Sequence, residues 1–212
     1  MTIFGTRPEA IKMAPLVKAI ENDNQLEVCV VVTAQHREML DSVLNTFDIQ
    51  PDYDLNIMKE GQTLSEITSK AMMELESIIK RINPDMVLVH GDTATTFSGS
   101  LAAFYNQVPI GHVEAGLRSF DKYSPYPEEM NRQMVGVLSD IHFAPTSNAK
   151  KHLLDEGKKE TTVVVTGNTA IDALNYTVND DYQSEILEKH KNKKILLLTA
   201  HRRENLGEPM EN

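Results

Sequence analysis

The sequence from residue 86 to residue 118, MVLVHGDTATTFSGSLAAFYNQVPIGHVEAGLR, decides the fold. It opens with an apolar run at 86–90, continues with a helical segment over about 95–106 and returns to an apolar run at 109–113. Short apolar runs that alternate with longer helical segments indicate parallel βαβ units. The same alternation covers most of the chain, so we predict an α/β fold, a Rossmann-like parallel sheet flanked by helices.

Local signals place the other elements of this sheet. A short strand at 2–4 leads into a helix with Pro8 in its first turn, and Pro15 predicts a kink or a late start of that helix. The apolar run 27–33 predicts a second strand, and a loop should follow through 51–58. Thr63-Leu64-Ser65-Glu66 matches a capping box, which predicts the start of another helix. Further elements are predicted as a helix at 128–138 and strands at 141–144 and 162–165.

The pattern predicts two domains of unequal completeness. Residues 1–178 form the N-terminal Rossmann-like domain, and residues 179–212 form a polar interdomain crossing and the first strand, 194–199, of a second Rossmann-like domain. A lone parallel strand with no helix after it cannot bury its faces. We therefore expect the sequence to be truncated within that second domain.

The composition excludes several classes of protein. With 41% hydrophobic and 25% charged residues the chain has an ordinary soluble composition, and no apolar run approaches the roughly 20 residues of a membrane helix. The net charge of −10 argues against nucleic acid or an anionic membrane as a partner. A single cysteine, Cys29, excludes an internal disulfide framework and fits a cytoplasmic location.

Polar residues gather where the predicted strands end. Ligands of open α/β sheets bind at the carboxyl ends of the strands. Arg, His and carboxylate side chains follow each of the main strands, in Gly5-Thr6-Arg7-Pro8-Glu9, Gln35-His36-Arg37, His90-Gly91-Asp92-Thr93, His112-Val113-Glu114 and His201-Arg202-Arg203-Glu204. The sequence therefore predicts a ligand site at this edge of the sheet.

Two of these motifs allow more than one interpretation. Gly5-Thr6-Arg7 is either a phosphate cradle at a helix N-terminus or a plain strand-to-helix turn, and it lacks the dinucleotide fingerprint, which argues against nicotinamide binding. The pairs His90-x-Asp92 and His112-x-Glu114 are either metal ligands or structural histidines with satisfied hydrogen bonds. We favour the structural interpretation, because neither an HExxH motif nor a cysteine pair completes a metal site.

Three carboxylates, Asp92, Glu114 and Glu128, are candidates for general acid–base chemistry. The alternative is that Asp92 and Glu128 only cap the helices that start near them. Arg118 and Arg132 either pair with these acids, hold a ligand or form ordinary surface ion pairs.

Seven motifs together resemble the non-hydrolysing UDP-N-acetylglucosamine 2-epimerases. They occur in the order of that family and spread over nearly the whole chain. They are Phe4-Gly5-Thr6-Arg7-Pro8-Glu9-Ala10-Ile11-Lys12, Thr33-Ala34-Gln35-His36-Arg37, Val89-His90-Gly91-Asp92-Thr93, His112-Val113-Glu114-Ala115-Gly116-Leu117-Arg118, residues 123–132, Thr166-Gly167-Asn168-Thr169 and His201-Arg202-Arg203-Glu204-Asn205.

The resemblance implies a two-domain GT-B fold with the active site between its halves. It implies interconversion of UDP-GlcNAc and UDP-ManNAc for bacterial cell-surface polysaccharides, by anti elimination of UDP to 2-acetamidoglucal and re-addition. It further implies that neither NAD nor a metal is needed, and that the protein is a homodimer. The alternatives are a hydrolysing epimerase that releases UDP and ManNAc, a GT-B glycosyltransferase and a non-catalytic module that binds a nucleotide sugar.

The resemblance also assigns residues to roles. Asp92, Glu114 and Glu128 match the catalytic carboxylates of the family. Substrate-binding positions are matched by Arg7, Lys12, Arg132 and His201.

Some members of the family bind UDP-GlcNAc at a second, allosteric site. Gln35 and Arg202 match part of that site, as does Glu128. Glu38 and Gly61 depart from the Gln and Arg expected in regulated members. A Ser-Gly-Gly segment that binds the nucleotide in the family is absent from this sequence, so we expect the 212-residue chain alone to have little or no epimerase activity.

Overall fold

The computed structural model describes residues 1–34, 37–57, 61–179 and 181–197 of the chain. It divides into two compact units, of which the first covers Met1–Thr177 and the second begins at Val178. The first unit carries the sheet and the residues of the candidate site. In the second unit the described residues contain one short helix, Glu185–Lys189.

The first unit is built on a parallel sheet of seven strands in the order β3-β2-β1-β4-β5-β6-β7. The predicted fold class, a parallel sheet flanked by helices, is confirmed. The strands are β1 (Thr2–Phe4), β2 (Val30–Val32), β3 (Tyr53–Asp54), β4 (Val87–His90), β5 (Ile110–Val113), β6 (Ile141–Ala144) and β7 (Val163–Val165). All adjacent strands run parallel, so their carboxyl ends lie at one edge of the sheet.

Helices connect successive strands, with a short 3₁₀ helix at Glu160–Thr162. They are α1 (Arg7–Glu21), α2 (Arg37–Thr46), α3 (Leu64–Ile82), α4 (Ala94–Tyr105), α5 (Glu128–Leu138), α6 (Ser147–Asp155), α7 (Thr169–Thr177) and α8 (Glu185–Lys189). None of the helices among the described residues is long and apolar enough to cross a membrane.

Two large apolar clusters and a smaller third one, around Leu153 and Val163, form the core of the described residues. One large cluster contains Ile3, Val89 and Leu75 with their neighbours, and the other contains Phe4 and Met13 with theirs. Adjacent residues of a strand point to opposite faces, so Ile3 and Phe4 contribute to different clusters. The sheet is therefore packed on both sides, and its strand ends are held in fixed positions.

Helix α1 begins earlier than Pro15 suggests. A capping box fixes its start, since the Thr6 side chain accepts a hydrogen bond from the Glu9 N–H while the Glu9 side chain accepts from the Thr6 N–H. The helix then runs through Pro15 to Glu21. The predicted late start is wrong, because the cap at Thr6 and the buried apolar face of the helix outweigh the one N–H that proline lacks.

Strand boundaries show the limits of the sequence pattern. The predicted strand 27–33 is observed only as Val30–Val32, and the short edge strand Tyr53–Asp54 falls within the predicted loop. The capping box at Thr63 and Glu66 starts α3 as predicted. Residues 194–197 have irregular backbone, and 198–199 lie outside the described residues, so the predicted strand 194–199 stays a prediction. The division into domains at residue 178 also stays a prediction.

One turn of the first unit requires glycine because of a close approach. Gly116, which follows β5, has φ +86°, and a Cβ at this residue would lie 2.3 Å from the backbone oxygen of Ala149. Gly157 has nearly the same φ, +84°, but a Cβ there would meet no atom within 4 Å. The two glycines share a left-handed backbone conformation and differ in the space available for a Cβ.

We expect Gly116→Ala to destabilise the protein more than Gly157→Ala. Each substitution adds about 1–2 kcal/mol of left-handed strain, and Gly116→Ala adds a clash with backbone that cannot move freely. Urea unfolding of the two variants and the wild type measures both costs. Equal free energies of unfolding for the two variants would show that the α6 backbone yields to the added methyl group.

Candidate active site

Strands β4 and β5 bring the first two candidate carboxylates to the same edge of the sheet. His90 pairs in register with Val113, so Glu114 leaves β5 beside the end of β4, and Asp92 follows His90 by two residues. Asp92 and Glu114 therefore lie at neighbouring strand ends, as the sequence predicted. Glu114 has φ +61°, a left-handed conformation that costs a residue with a Cβ about 1–2 kcal/mol.

Arg132 connects the two carboxylates. Its Nη2 lies 2.5 Å from Asp92 Oδ2 and 3.5 Å from Glu114 Oε1, and its Nη1 donates to the backbone oxygen of Glu114. The next residue on α5, Asn131, donates from Nδ2 to the backbone oxygen of Asp92 over 2.9 Å. Helix α5 therefore fixes both strand ends through two consecutive side chains.

Lys12 provides the second positive charge next to Glu114. Its Nζ forms an ion pair and a hydrogen bond with Glu114 Oε2 from helix α1. The same oxygen lies 3.6 Å from His90 Nε2. Glu114 is thus surrounded by basic groups from three elements: α1, α5 and β4.

These neighbours keep the Glu114 carboxyl ionised. Burial alone would raise its pKa, but the His90 ring 3.6 Å away, followed by the hydrogen bond and charge of Lys12, outweighs burial and lowers the pKa to about 2. At neutral pH Glu114 is therefore a fixed negative charge. It is suited to stabilising positive charge and poorly suited to donating a proton.

A buried carboxylate, Glu9, ties two loops of the site together. Its Oε2 accepts hydrogen bonds from the backbone N–H groups of Gly5 and Thr6, at 3.0 and 2.7 Å. The hydroxyls of Thr93 and Thr96 lie 2.7 and 3.1 Å from its Oε1. Glu9 is only 2% exposed, so the amides of Gly5 and Thr6 and the hydroxyl of Thr93 replace its hydration. The single hydroxyl proton of Thr96 has a nearer acceptor, the backbone oxygen of His90 at 2.5 Å.

The contacts of Glu9 argue against a phosphate cradle at Gly5-Thr6-Arg7. The amide hydrogens of Gly5 and Thr6 at the start of α1 already bind the carboxylate of Glu9. An external anion would have to compete with a carboxylate held in place by the helix itself. The plain-turn interpretation is therefore the better description of these two amides.

Other predicted residues lie around this network without joining it. Glu128 is half-buried at the first position of α5, and no described residue forms a hydrogen bond or ion pair with its side chain. Arg7, the first residue of α1, is exposed and likewise pairs with no described side chain. Of the alternatives for Arg118, an ion pair outside the carboxylate set is the one observed, because its guanidinium binds both oxygens of Glu156, at 2.6 and 2.8 Å.

Three predicted site residues, Gln35, His201 and Arg202, lie outside the described residues, so their roles stay predictions. Of the two positions that depart from the regulated pattern, Glu38 is exposed in the first turn of α2 and Gly61 is exposed before α3. The structure therefore leaves the predicted allosteric site untested.

The buried histidines only partly follow the prediction of satisfied structural residues. His112 Nε2 lies 2.7 Å from the backbone oxygen of Gly91, in agreement with that prediction. For His90 the prediction is wrong, because neither of its buried ring nitrogens has a hydrogen-bond partner in the part of the chain that the structure describes. Within the described ranges, no group of three His, Cys, Asp or Glu side chains is arranged to hold a metal ion.

A cavity of about 280 Å³ opens beside the network. Asp92 and Arg132 line one part of it, and Ser119, Glu129 and His152 line another. Glu129 is buried and accepts hydrogen bonds from the Ser119 N–H at 2.9 Å and from Gln133 Nε2 at 2.7 Å. Its carboxylate thus holds the loop that forms the wall of the cavity.

The sequence placed Glu9 and His90 at this edge of the sheet but did not predict their contacts, and Glu129 was not singled out. The spacing Thr6-x-x-Glu9 is a capping box and would have identified Glu9 as the partner of Thr6. The hydrogen bonds of Glu129 and the unpaired ring of His90 depend on three-dimensional neighbours, and no local pattern signals them.

Acid should destabilise this sheet before the Glu114 carboxylate is protonated. Burial, followed by the charges of Lys158 and Arg118, lowers the pKa of His142 from 6.5 to about 4, and burial and Arg132 lower the pKa of His112 well below its usual range. Neutral histidine is thus favoured in the folded state. Its contribution to stability is complete above pH 6.5 and is lost as the pH falls toward 4. The contribution of Glu114 is lost only between pH 4.5 and 2.

We expect His142→Gln to flatten the fall in stability between about pH 6.5 and about pH 4.5, where His142 binds a proton on unfolding and the Glu114 contribution is still complete. Urea unfolding of the wild type and the variant across this window measures the slope. Equal slopes would mean that His142 binds no additional proton on unfolding.

Comparison with known proteins identifies the family. The family model described as UDP-N-acetylglucosamine 2-epimerase matches residues 18–212. The UDP-N-acetylglucosamine 2-epimerase of Bacillus subtilis (strain 168) is 64% identical over 212 residues, which are 100% of this chain and 56% of that protein. The chain therefore spans little more than half the length of this relative.

Solved structures agree in sequence and in fold. The S. aureus MnaA–UDP co-structure is 73% identical, with a TM-score of 0.92 over 100% of this chain and 56% of that chain. The UDP-GlcNAc 2-epimerase from Neisseria meningitidis bound to UDP-GlcNAc is 52% identical, with a TM-score of 0.89 over 98% of this chain and 58% of that chain. The chain described here belongs to the UDP-N-acetylglucosamine 2-epimerase family.

Proposed function

We propose that the full-length protein containing this chain interconverts UDP-GlcNAc and UDP-ManNAc at C2 of the sugar. The observation that carries the proposal is the network of Asp92, Glu114, Arg132 and Lys12 in a member of this family. Relatives that contain UDP or UDP-GlcNAc support a nucleotide sugar as the ligand. The two-domain GT-B arrangement, the homodimer, the cytoplasmic location and the inactivity of the 212-residue chain alone stay predictions.

The proposed reaction requires positive charge to be stabilised at C1. The C2 proton of the substrate is not adjacent to a carbonyl, so it is not acidic at the outset. Departure of UDP gives C1 oxocarbenium character, which acidifies the C2 proton and allows elimination to 2-acetamidoglucal. A buried negative charge near C1 lowers the energy of that transition state. Glu114, whose pKa of about 2 keeps it ionised, fits this role.

Proton transfer at C2 needs a different carboxylate. The two epimers carry their C2 proton on opposite faces of the ring, so more than one proton-handling group is expected. Asp92 is paired with Arg132, whereas no described residue pairs with Glu128. We therefore assign a proton transfer to Glu128 and an electrostatic role to Glu114. Lys12 and Arg7 are assigned to the diphosphate, which is anionic.

The function is tested by incubating the full-length protein with UDP-GlcNAc in D2O and following C2 by proton NMR. Epimerisation through C2 proton exchange should give UDP-ManNAc with deuterium at C2. The same spectra identify free ManNAc, which only the hydrolysing alternative accumulates. Unchanged substrate would overturn the proposal and favour a module that binds nucleotide sugars without catalysis.

The two carboxylate roles are separated by Glu114→Gln and Glu128→Gln. UDP-GlcNAc labelled with ¹⁸O in the bridging position reports C1–O cleavage and return, and deuterium at C2 reports proton transfer. We expect Glu114→Gln to slow both processes, and Glu128→Gln to slow deuterium exchange by roughly 10²-fold or more while isotope scrambling continues. Loss of scrambling in Glu128→Gln would contradict this assignment.

A further inference from the structure

His90 is a buried polar side chain without a partner. It is the last residue of β4 and is 3% exposed, and neither ring nitrogen has a hydrogen-bond partner among the described residues. Leaving a buried polar group unpaired is unfavourable, because its lost hydration is not replaced, so such a group in a folded protein calls for an explanation. The nearest carboxylate oxygen is Oε2 of Glu114, 3.6 Å from Nε2 of the ring.

That oxygen is already used by Lys12. The Lys12 ammonium is hydrogen-bonded to Glu114 Oε2. The side chain of Lys12 is 24% exposed and that of Glu114 is 11% exposed, so Lys12 is the member of the pair that a ligand in the site reaches more readily. An anionic ligand offers the ammonium an alternative partner.

If Lys12 moved away, Arg132 and His90 would be the described basic groups left near the Glu114 carboxylate. Helix α5 contributes Arg132, whose Nη2 is nearer to Asp92 than to Glu114, at 2.5 against 3.5 Å. Strand β4 contributes His90, which faces the oxygen that Lys12 vacates. Of the basic groups that contact Glu114 among the described residues, only His90 lies on the Oε2 side once Lys12 has moved.

We propose that His90 is a positioning residue that takes over the hydrogen bond to Glu114 Oε2 when an anionic ligand draws Lys12 away. This inference rests on the proposed function, in which UDP supplies the anion. The required movement is small, since closing 3.6 Å to a normal hydrogen bond takes roughly 0.7 Å. No side-chain hydrogen bond to a described residue has to break, because the His90 ring forms none. The exchange keeps the Glu114 carboxylate oriented while the Lys12 ammonium pairs with the anionic leaving group, UDP.

The kinetic test compares two replacements of His90 in the full-length protein. Gln places an N–H near the position of the imidazole Nε2, and Leu keeps apolar volume without a donor. We expect His90→Leu to lower kcat on the order of tenfold with little change in KM, the loss of one hydrogen bond to a charged group, while His90→Gln retains most of kcat.

The matched control for these variants is His142→Leu. His142 is a buried histidine on β6, one strand beyond β5, and takes no part in the network around Glu114. Its replacement should leave kcat unchanged at neutral pH. Urea unfolding of each variant checks that it is folded. Equal activity of His90→Leu and His90→Gln, whether both are high or both are low, would overturn the proposal.

A second measurement does not depend on turnover. In Lys12→Met without ligand, Oε2 of Glu114 loses the ammonium, so His90 should donate to it. The imidazole N–H should then appear as a slowly exchanging low-field resonance in the proton NMR spectrum, and this resonance should vanish in Lys12→Met/His90→Gln. Its absence from Lys12→Met would overturn the exchange even if the protein is an active epimerase.

Saturating the wild-type protein with UDP should produce the same low-field resonance. If UDP binds and no such resonance appears, the ligand-driven exchange is wrong. If the protein neither binds UDP nor turns over UDP-GlcNAc, the proposed function fails, and the Lys12→Met spectrum still decides whether His90 is the alternative partner of Glu114.

Discussion

Two carboxylates can share one edge of this sheet because the guanidinium of Arg132 lies between them. Two like charges 4 Å apart repel by about 4 kcal/mol at an effective dielectric constant near 20, so adjacent strand ends that both carry acids need a cation. Arg132 contacts both Asp92 and Glu114 from helix α5. The position of α5, and the loop before it that Glu129 holds, therefore determine the geometry at the ends of β4 and β5.

The resting network is balanced in charge. The carboxylates of Asp92 and Glu114 face the cations of Lys12 and Arg132, and His90 lies next to them without a hydrogen bond. An anion that binds here would have to pair with a cation that already has a partner. Ligand binding and the hydrogen bonding of Glu114 are consequently coupled, since the ligand and the carboxylate compete for the ammonium of Lys12.

Much of this arrangement follows from the sequence, for identifiable reasons. Helix α5 starts at Glu128 as predicted, because its apolar spacing is regular, and Asp92 and Glu114 meet because parallel strands end at one edge. The edge strand β3 was missed because two residues carry no periodicity. The choice of Arg132 over Arg118 as the bridging cation depends on which helix faces the strand ends, and this information is tertiary.

The carboxylate of Glu9 has a consequence for how this protein can vary. It accepts from the amides of Gly5 and Thr6 and lies against the hydroxyls of Thr93 and Thr96, without a cation. Loss of the carboxylate would leave three donors, the amides of Gly5 and Thr6 and the hydroxyl of Thr93, without their acceptor. Loss of Thr93 would leave the buried negative charge with one hydrogen bond fewer. More than eighty residues of sequence separate the loops after β1 and β4. We nevertheless expect them to vary together, because a substitution in one loop is acceptable only with a compensating change in the other.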